Sequence, residues 1–195
     1  MIKPTLTQAR TTVAVMVLAA STLVGIAVHE GYREEAYIPV PGDVPTIGFG
    51  STAGVRMGDK TTPTRSLVRL LDEIEGVYAA GVRRCVTVPL YQYEYEAYVR
   101  LAYSVGVPTF CRSAPPGKPA NLIDLINSRR YAEACARIEA FKYGPGRKVL
   151  AGLVKRRAEE RAICEGRKSP QDALPPAAMA SNDASDQANR EASPE

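Results

Sequence analysis

Three side chains between positions 30 and 46 could share one piece of chemistry: Glu30, Asp43 and Thr46. Glu30 stands two residues beyond a long uncharged stretch and just before a segment rich in glycine and proline. A glutamate at the rim of a partly apolar cleft has its ionised form disfavoured by desolvation, so it can hold a proton and deliver it as a general acid. Cleavage of a glycosidic bond uses such an acid, with a second group across the cleft that positions or activates water. Asp43 and Thr46 lie on the segment that could supply the opposite wall. Taken alone, Glu30 reads more simply as a solvated surface carboxylate, because spacing does not bring three groups into one cleft. No cofactor or metal is expected: there is no CxxC, and the lone His29 cannot build a metal site.

The elements that must position these residues are legible in outline. Ala36-Tyr37-Ile38 and Thr46-Ile47-Gly48-Phe49 flank a turn at Pro41-Gly42-Asp43, which predicts a small β-hairpin. Thr62 and Pro63 form an N-cap and first-turn pair, followed by Leu67, Leu70, Leu71, Ile74 and Val77 at amphipathic-helix spacing. The Tyr-rich stretch Leu90 to Val105 reads as the most buried helix, its tyrosines partly at the edge. Shorter helices are expected at 121–127 and 128–140, and a last one from Arg147 to Cys164 after Gly144-Pro145-Gly146. A small sheet followed by a run of helices predicts an α+β chain, mainly α, with an apolar helix at its N-terminus.

The chain has 195 residues, 45% hydrophobic and 24% charged, which suits one domain with appendages. That mixture excludes collagen, a wholly disordered chain and a polytopic membrane protein. The net charge of +4 is too mild to indicate a nucleic-acid partner, and none is expected. Residues 29–164 carry a net +5 and residues 165–195 a net −3. The acidic end is rich in Ala, Ser, Pro and Asp, so residues 165–195 are expected to form a disordered tail.

From Thr11 to Val28 there is no charge. Eighteen residues make roughly 27 Å of helix, just short of a bilayer core of ~30 Å. Lys3 and Arg10 precede the run and no Lys or Arg follows until Arg33, so the positive-inside rule keeps the N-terminus in the cytoplasm. Half the positions are Ala, Gly, Ser or Thr, which leaves little to hold the segment in lipid. A signal peptide cut after Gly25-Ile26-Ala27, a permanent anchor and a buried core helix are the competing readings. The preferred one is a marginal, exportable anchor over residues 1–28.

The run Glu30-Gly31-Tyr32-Arg33, Ala36-Tyr37, Gly42 and Pro45-Thr46-Ile47-Gly48-Phe49-Gly50 resembles the phage-type lysozymes of glycoside hydrolase family 24. Those enzymes carry EG-x-(R)-x-x-AY, then an Asp, then G-x-x-TIG-[YF]-G. Cys85, Pro89-Leu90, Gln92, Tyr95-Glu96-Ala97, Ala102-Tyr103-Ser104-Val105-Gly106 and Phe110-Cys111 are similar to the family's central helix. Gly152-Leu153-Val154-Lys155-Arg156-Arg157 with Glu159 resembles its GL-x-x-RR-x-x-E helix. The resemblance covers roughly residues 28–164 and implies a lysozyme-like catalytic domain over 29–164. It implies a monomeric muramidase that cleaves the β-1,4 bond between N-acetylmuramic acid and N-acetylglucosamine in peptidoglycan strands and lyses the host cell.

By the same resemblance Glu30 takes the general-acid position and Thr46 that of the threonine that helps hold the attacking water. The family's Asp position, nine residues after Glu30, is Pro39 here, and the spacing from Glu30 to Thr46 is one residue longer than usual. Asp43 is the one carboxylate between Glu35 and Asp59, and is expected to assume the water-orienting role. Ser104 and Phe141 stand where the family often has Asn and Trp. Pro39 also keeps open a glycan-binding protein with impaired catalysis, and the family includes enzymes that end the same bond by transglycosylation.

A weak N-terminal apolar segment is similar to that of signal-arrest-release endolysins. These are exported uncleaved, held inactive at the inner membrane, and released to the periplasm on depolarisation. Cys85, Cys111, Cys135 and Cys164 all lie in the exported part, where disulfides form, and four cysteines allow three pairings. Cys85–Cys111 and Cys135–Cys164, which join consecutive elements, are the favoured pairs.

Overall fold

The uncharged run from Thr11 to Val28 does not form one helix. In the computed structural model, which describes residues 9–170, it starts as a 3-10 turn at Val13–Val15 and is extended at Met16 and Ala19. It becomes α-helical only at Ala20, where α1 (Ala20–Glu30) begins. The expected apolar helix is therefore divided, for a backbone reason. The Leu18 N–H donates to Glu75 Oε1 at 3.1 Å and the Val17 carbonyl accepts from Gln92 Nε2 at 2.8 Å, bonds that a continuous helix would have closed on itself. Among the described residues no helix is long and apolar enough to cross a membrane. Lys3 and positions 171–195 of the expected acidic tail lie outside the described residues.

Val13, Met16, Leu23, Ile26 and Ala27 from this run are buried in the same core as Leu70, Ile74, Tyr98, Leu101, Ile126 and Ile163. Gly31 ends α1: its N–H donates to the Ala27 carbonyl and its φ of +72° turns the chain away. Strands β1 (Arg33–Tyr37) and β2 (Thr46–Gly48) pair antiparallel, Arg33 opposite Gly48 and Tyr37 opposite Thr46. Ala36, Ile47 and Val55 make a separate small core beneath this hairpin.

Helix α2 (Pro63–Glu73) starts where its cap predicts, the Thr62 hydroxyl accepting from the Arg65 N–H at 3.3 Å. The helical path then continues through a π turn at Ile74–Ala79, which the amphipathic spacing reaches at Ile74 and Val77, into α3 (Ala80–Cys85), which that spacing does not reveal. The long buried helix is α4 (Gln92–Val105), with Tyr95 and Tyr98 fully enclosed. It is followed by α5 (Val107–Phe110), α6 (Leu122–Asn127), α7 (Tyr131–Arg137) and α8 (Ala151–Cys164). The last helix starts four residues later than expected, because Pro145–Arg147 form a 3-10 turn in which Gly146 and Arg147 take positive φ. Disulfides join Cys85 to Cys111 and Cys135 to Cys164, the second fastening α7 to α8. α4 packs along α8, and α1 lies against α4.

Candidate active site

Glu30 is the last residue of α1, and three other elements converge on it. Arg156 on α8 places Nη2 3.5 Å from Glu30 Oε1. From the β side, Gly50 follows β2 with a φ of +91°, and a side chain begun there would come within 3.6 Å of Glu30 Oε2 and 3.8 Å of the Tyr103 hydroxyl. Gly50 is thus both conformationally required and sterically bare, which leaves the carboxylate open on that side. Tyr103 on α4 completes the wall, its ring edge-on to Tyr78 with centroids 5.0 Å apart. Burial holds the Tyr103 hydroxyl well above its ordinary pKa, reinforced by the Glu30 and Glu73 charges. The Glu30 side chain keeps 27% of its surface exposed, so it faces solvent from a partly enclosed seat.

Thr46 is buried on β2, and its hydroxyl donates to the Val44 carbonyl at 3.2 Å. With its hydrogen directed there, the oxygen retains lone pairs that can accept from water. Asp43 is exposed at the hairpin tip: Oδ1 accepts from the Val44 N–H at 2.8 Å, and its own N–H donates to the Val40 carbonyl at 2.9 Å. Asp43 has no hydrogen bond or ion pair to Glu30 or Thr46 among the described residues. The structure therefore joins Glu30 to Gly50, Tyr103 and Arg156, keeps Thr46 on the strand that leads to Gly50, and leaves Asp43 engaged with its own turn.

Beneath Glu30 lies a buried ionic cluster that residue types alone do not locate. The carboxylate enclosed by the arginines of α8 is Glu160, not Glu159. Three positions after Arg157 and four after Arg156, it falls on their helix face, and the RR-x-x-E spacing counted residue by residue points to it. Glu160 Oε1 accepts from Arg157 Nη2 at 2.7 Å and lies 3.5 Å from Arg156 Nε. Arg100 of α4 is buried beside them, and Gly25 of α1 crosses over it so closely that a Cβ would meet Nη1 at 2.8 Å. Glu159 instead lies 3.8 Å from His29 Nε2. Burial, with the Arg100 and Arg156 charges, holds His29 below its ordinary pKa, which favours the neutral ring.

Ser104 on α4 and Phe141, just after a 3-10 turn at Ile138–Ala140, line one cavity of about 390 Å³ with Val105, Thr109, Tyr143 and Leu153.

Residues 27–160 match the model of the family described as phage lysozyme. An SAR-endolysin of Pseudomonas phage phiKMV is 32% identical over 74% of this chain and 86% of its own length. An endolysin of Acyrthosiphon pisum secondary endosymbiont phage 1 is 31% identical over 77% of this chain and 99% of its own. Among solved structures, the endolysin from Escherichia coli O157:H7 phage FAHEc1 superposes with a TM-score of 0.69 at 26% identity, covering 84% of this chain and 99% of that one.

Proposed function

From membership of the phage lysozyme family, to which this chain belongs, we propose that it is the endolysin that cleaves the β-1,4 bond between N-acetylmuramic acid and N-acetylglucosamine in peptidoglycan and so lyses the host cell. The observation that carries this reading is the seat of Glu30: a carboxylate at a helix end, backed by Arg156 and facing the bare Gly50. Glu30 donates its proton to the leaving sugar oxygen. Thr46 accepts a hydrogen bond from the attacking water, and Asp43, through the oxygen its turn does not use, orients that water and takes up its proton as the new C–O bond forms. Residues 29–164 act as the catalytic domain. Clearing of a peptidoglycan suspension by the wild-type protein and none by Glu30→Gln is the expected result; equal clearing by both would overturn the assignment.

We also infer that residues 1–28 hold the chain in the inner membrane after export and then let go into the periplasm uncut, as a monomer ending in the 165–195 tail. A relative that carries the name SAR-endolysin supports this, as does the double character of the segment. Removal of everything up to Ala27 would strip Val13, Met16, Leu23 and Ile26 from the core and break the Thr22–Glu96 hydrogen bond of 2.9 Å. The segment therefore has a place in the folded body that a discarded leader would not need. Ala14 and Ala20 are exposed in that body, so leucines there add membrane affinity without crowding the core. Ala14→Leu with Ala20→Leu is expected to stay in the membrane fraction and delay lysis. Release equal to wild type would count against the anchor.

A further inference from the structure

The cluster under Glu30 is poorly satisfied for a purely structural device. Arg100 Nη1, Arg156 Nε, Arg157 Nε, Arg157 Nη1 and Glu160 Oε2 are all buried without a hydrogen-bond partner among the described residues. A buried ion pair is seldom better for stability than apolar side chains of the same volume, so its retention asks for another reason. The geometry supplies one. The Arg156 guanidinium lies between two carboxylates, Nη2 at 3.5 Å from Glu30 and Nε at 3.5 Å from Glu160.

We propose that Glu160 is a positioning residue for the wall-cleaving reaction: through the shared Arg156 it sets how firmly Glu30 keeps its proton. The inference rests on Glu30 being the general acid. An ionised Glu160 draws Arg156 inward and offsets its charge, so Glu30 retains its proton to higher pH. A protonated Glu160 leaves the Arg156 charge on Glu30 alone and favours the ionised acid. The groups facing Glu160 are Arg156, Arg157 and Glu159 from α8 and Arg100 from α4, and Glu96 faces Arg100 in turn. From α1, His29 faces Arg100, Arg156, Glu159 and Lys155, while Glu30 faces Arg156. Burial pushes the Glu160 carboxyl up to about 7, with the three arginines opposing, so its charge changes near neutral pH.

The test compares peptidoglycan clearing by wild type and Glu160→Gln from pH 5 to 9. Where Glu160 is protonated in the wild type, the two proteins should match. Above its titration the wild type should pull ahead, reaching about tenfold at pH 9, the change expected from two unit charges roughly 10 Å apart at an effective dielectric near 20. A ratio constant across the range would mean a structural role alone and overturn the proposal. Should Glu160→Gln fail to fold, the ¹³C carboxyl signal of Glu30 in the wild type decides: a second inflection near pH 7 supports the coupling, and its absence sinks it. Full activity of Glu30→Gln would instead remove the general acid itself, whereas the carboxyl titration reads the coupling of Glu30 to Glu160 independently of activity.

Discussion

Glu30 and Asp43 are thirteen residues apart, yet the molecule holds them in opposite ways. Glu30 ends a helix whose inner face is buried, and it answers to Arg156, which in turn answers to Glu160, Arg157 and Arg100. Asp43 stands at the tip of a two-stranded ribbon and answers to its own turn, through Val44 and Val40. A two-stranded hairpin is marginal by itself, and this one leans on the Ala36–Ile47–Val55 core and on bonds such as Thr61 N–H to the Glu34 carbonyl. The Glu30 carboxylate is thus placed by tertiary packing of three helices, α1, α4 and α8, whereas Asp43 is placed by local turn chemistry. The first can be tuned at a distance; the second can be altered only at its own residues.

That contrast is open to attack at several points. The largest effect is expected at the acid: Glu30→Gln should lower wall clearing by about 10³-fold, within the span of a general acid, with little change in melting temperature. Next comes the hairpin. Asp43→Asn preserves a side-chain oxygen for the Val44 N–H but removes the charge, and Asp43→Ala removes both. If Asp43 orients water, each should clear wall roughly tenfold more slowly. Wild-type rates in Asp43→Asn with loss only in Asp43→Ala would reduce Asp43 to a turn former.

Smaller effects are expected in stability. Arg10 lies over the rings of Tyr91 and Tyr131, 4.1 and 3.8 Å from their centroids, and its Nη2 reaches the buried Glu94 at 2.7 Å. Arg10→Ala should lower the thermal midpoint by about 6 °C, since it removes two cation–π contacts and leaves a buried carboxylate unpaired. Arg10→Lys should recover only part, lacking the planar fork. The smallest expected change is a pH slope. Glu160 is raised above its unfolded value, so its contribution to stability is complete below about pH 4.5 and fades as pH rises through about 7. Wild type should melt about 4 °C lower at pH 8 than at pH 5 relative to Glu160→Gln, which lacks that titration.

Much of the frame is legible one residue at a time. Thr62-Pro63 announces the start of α2, Gly42 and Asp43 announce the turn, and the Glu30-to-Gly50 motif announces the hairpin that faces the acid. Each is a local preference of the backbone, and local preferences survive into the fold. The π turn at Ile74–Ala79 escapes such reading. So does the break in the Thr11–Val28 run, where a hydrogen bond given to Glu75 and one received from Gln92 draw the chain out of a helix that its composition allows.

The cap of α2, the turn at Gly42-Asp43 and the four cysteines follow from the sequence itself, because residue type and short spacing determine turn, cap and chemical capacity, and the resemblance to the phage-type lysozymes singles out Glu30, Thr46 and Gly50. Only the tertiary structure decided that Arg156 lies between Glu30 and Glu160, and that Asp43 points its nearer oxygen into its own turn. Those choices depend on which face of α8 meets α1 and α4. A charge acts through distance and dielectric, and both are properties of packed elements rather than of neighbours in the chain.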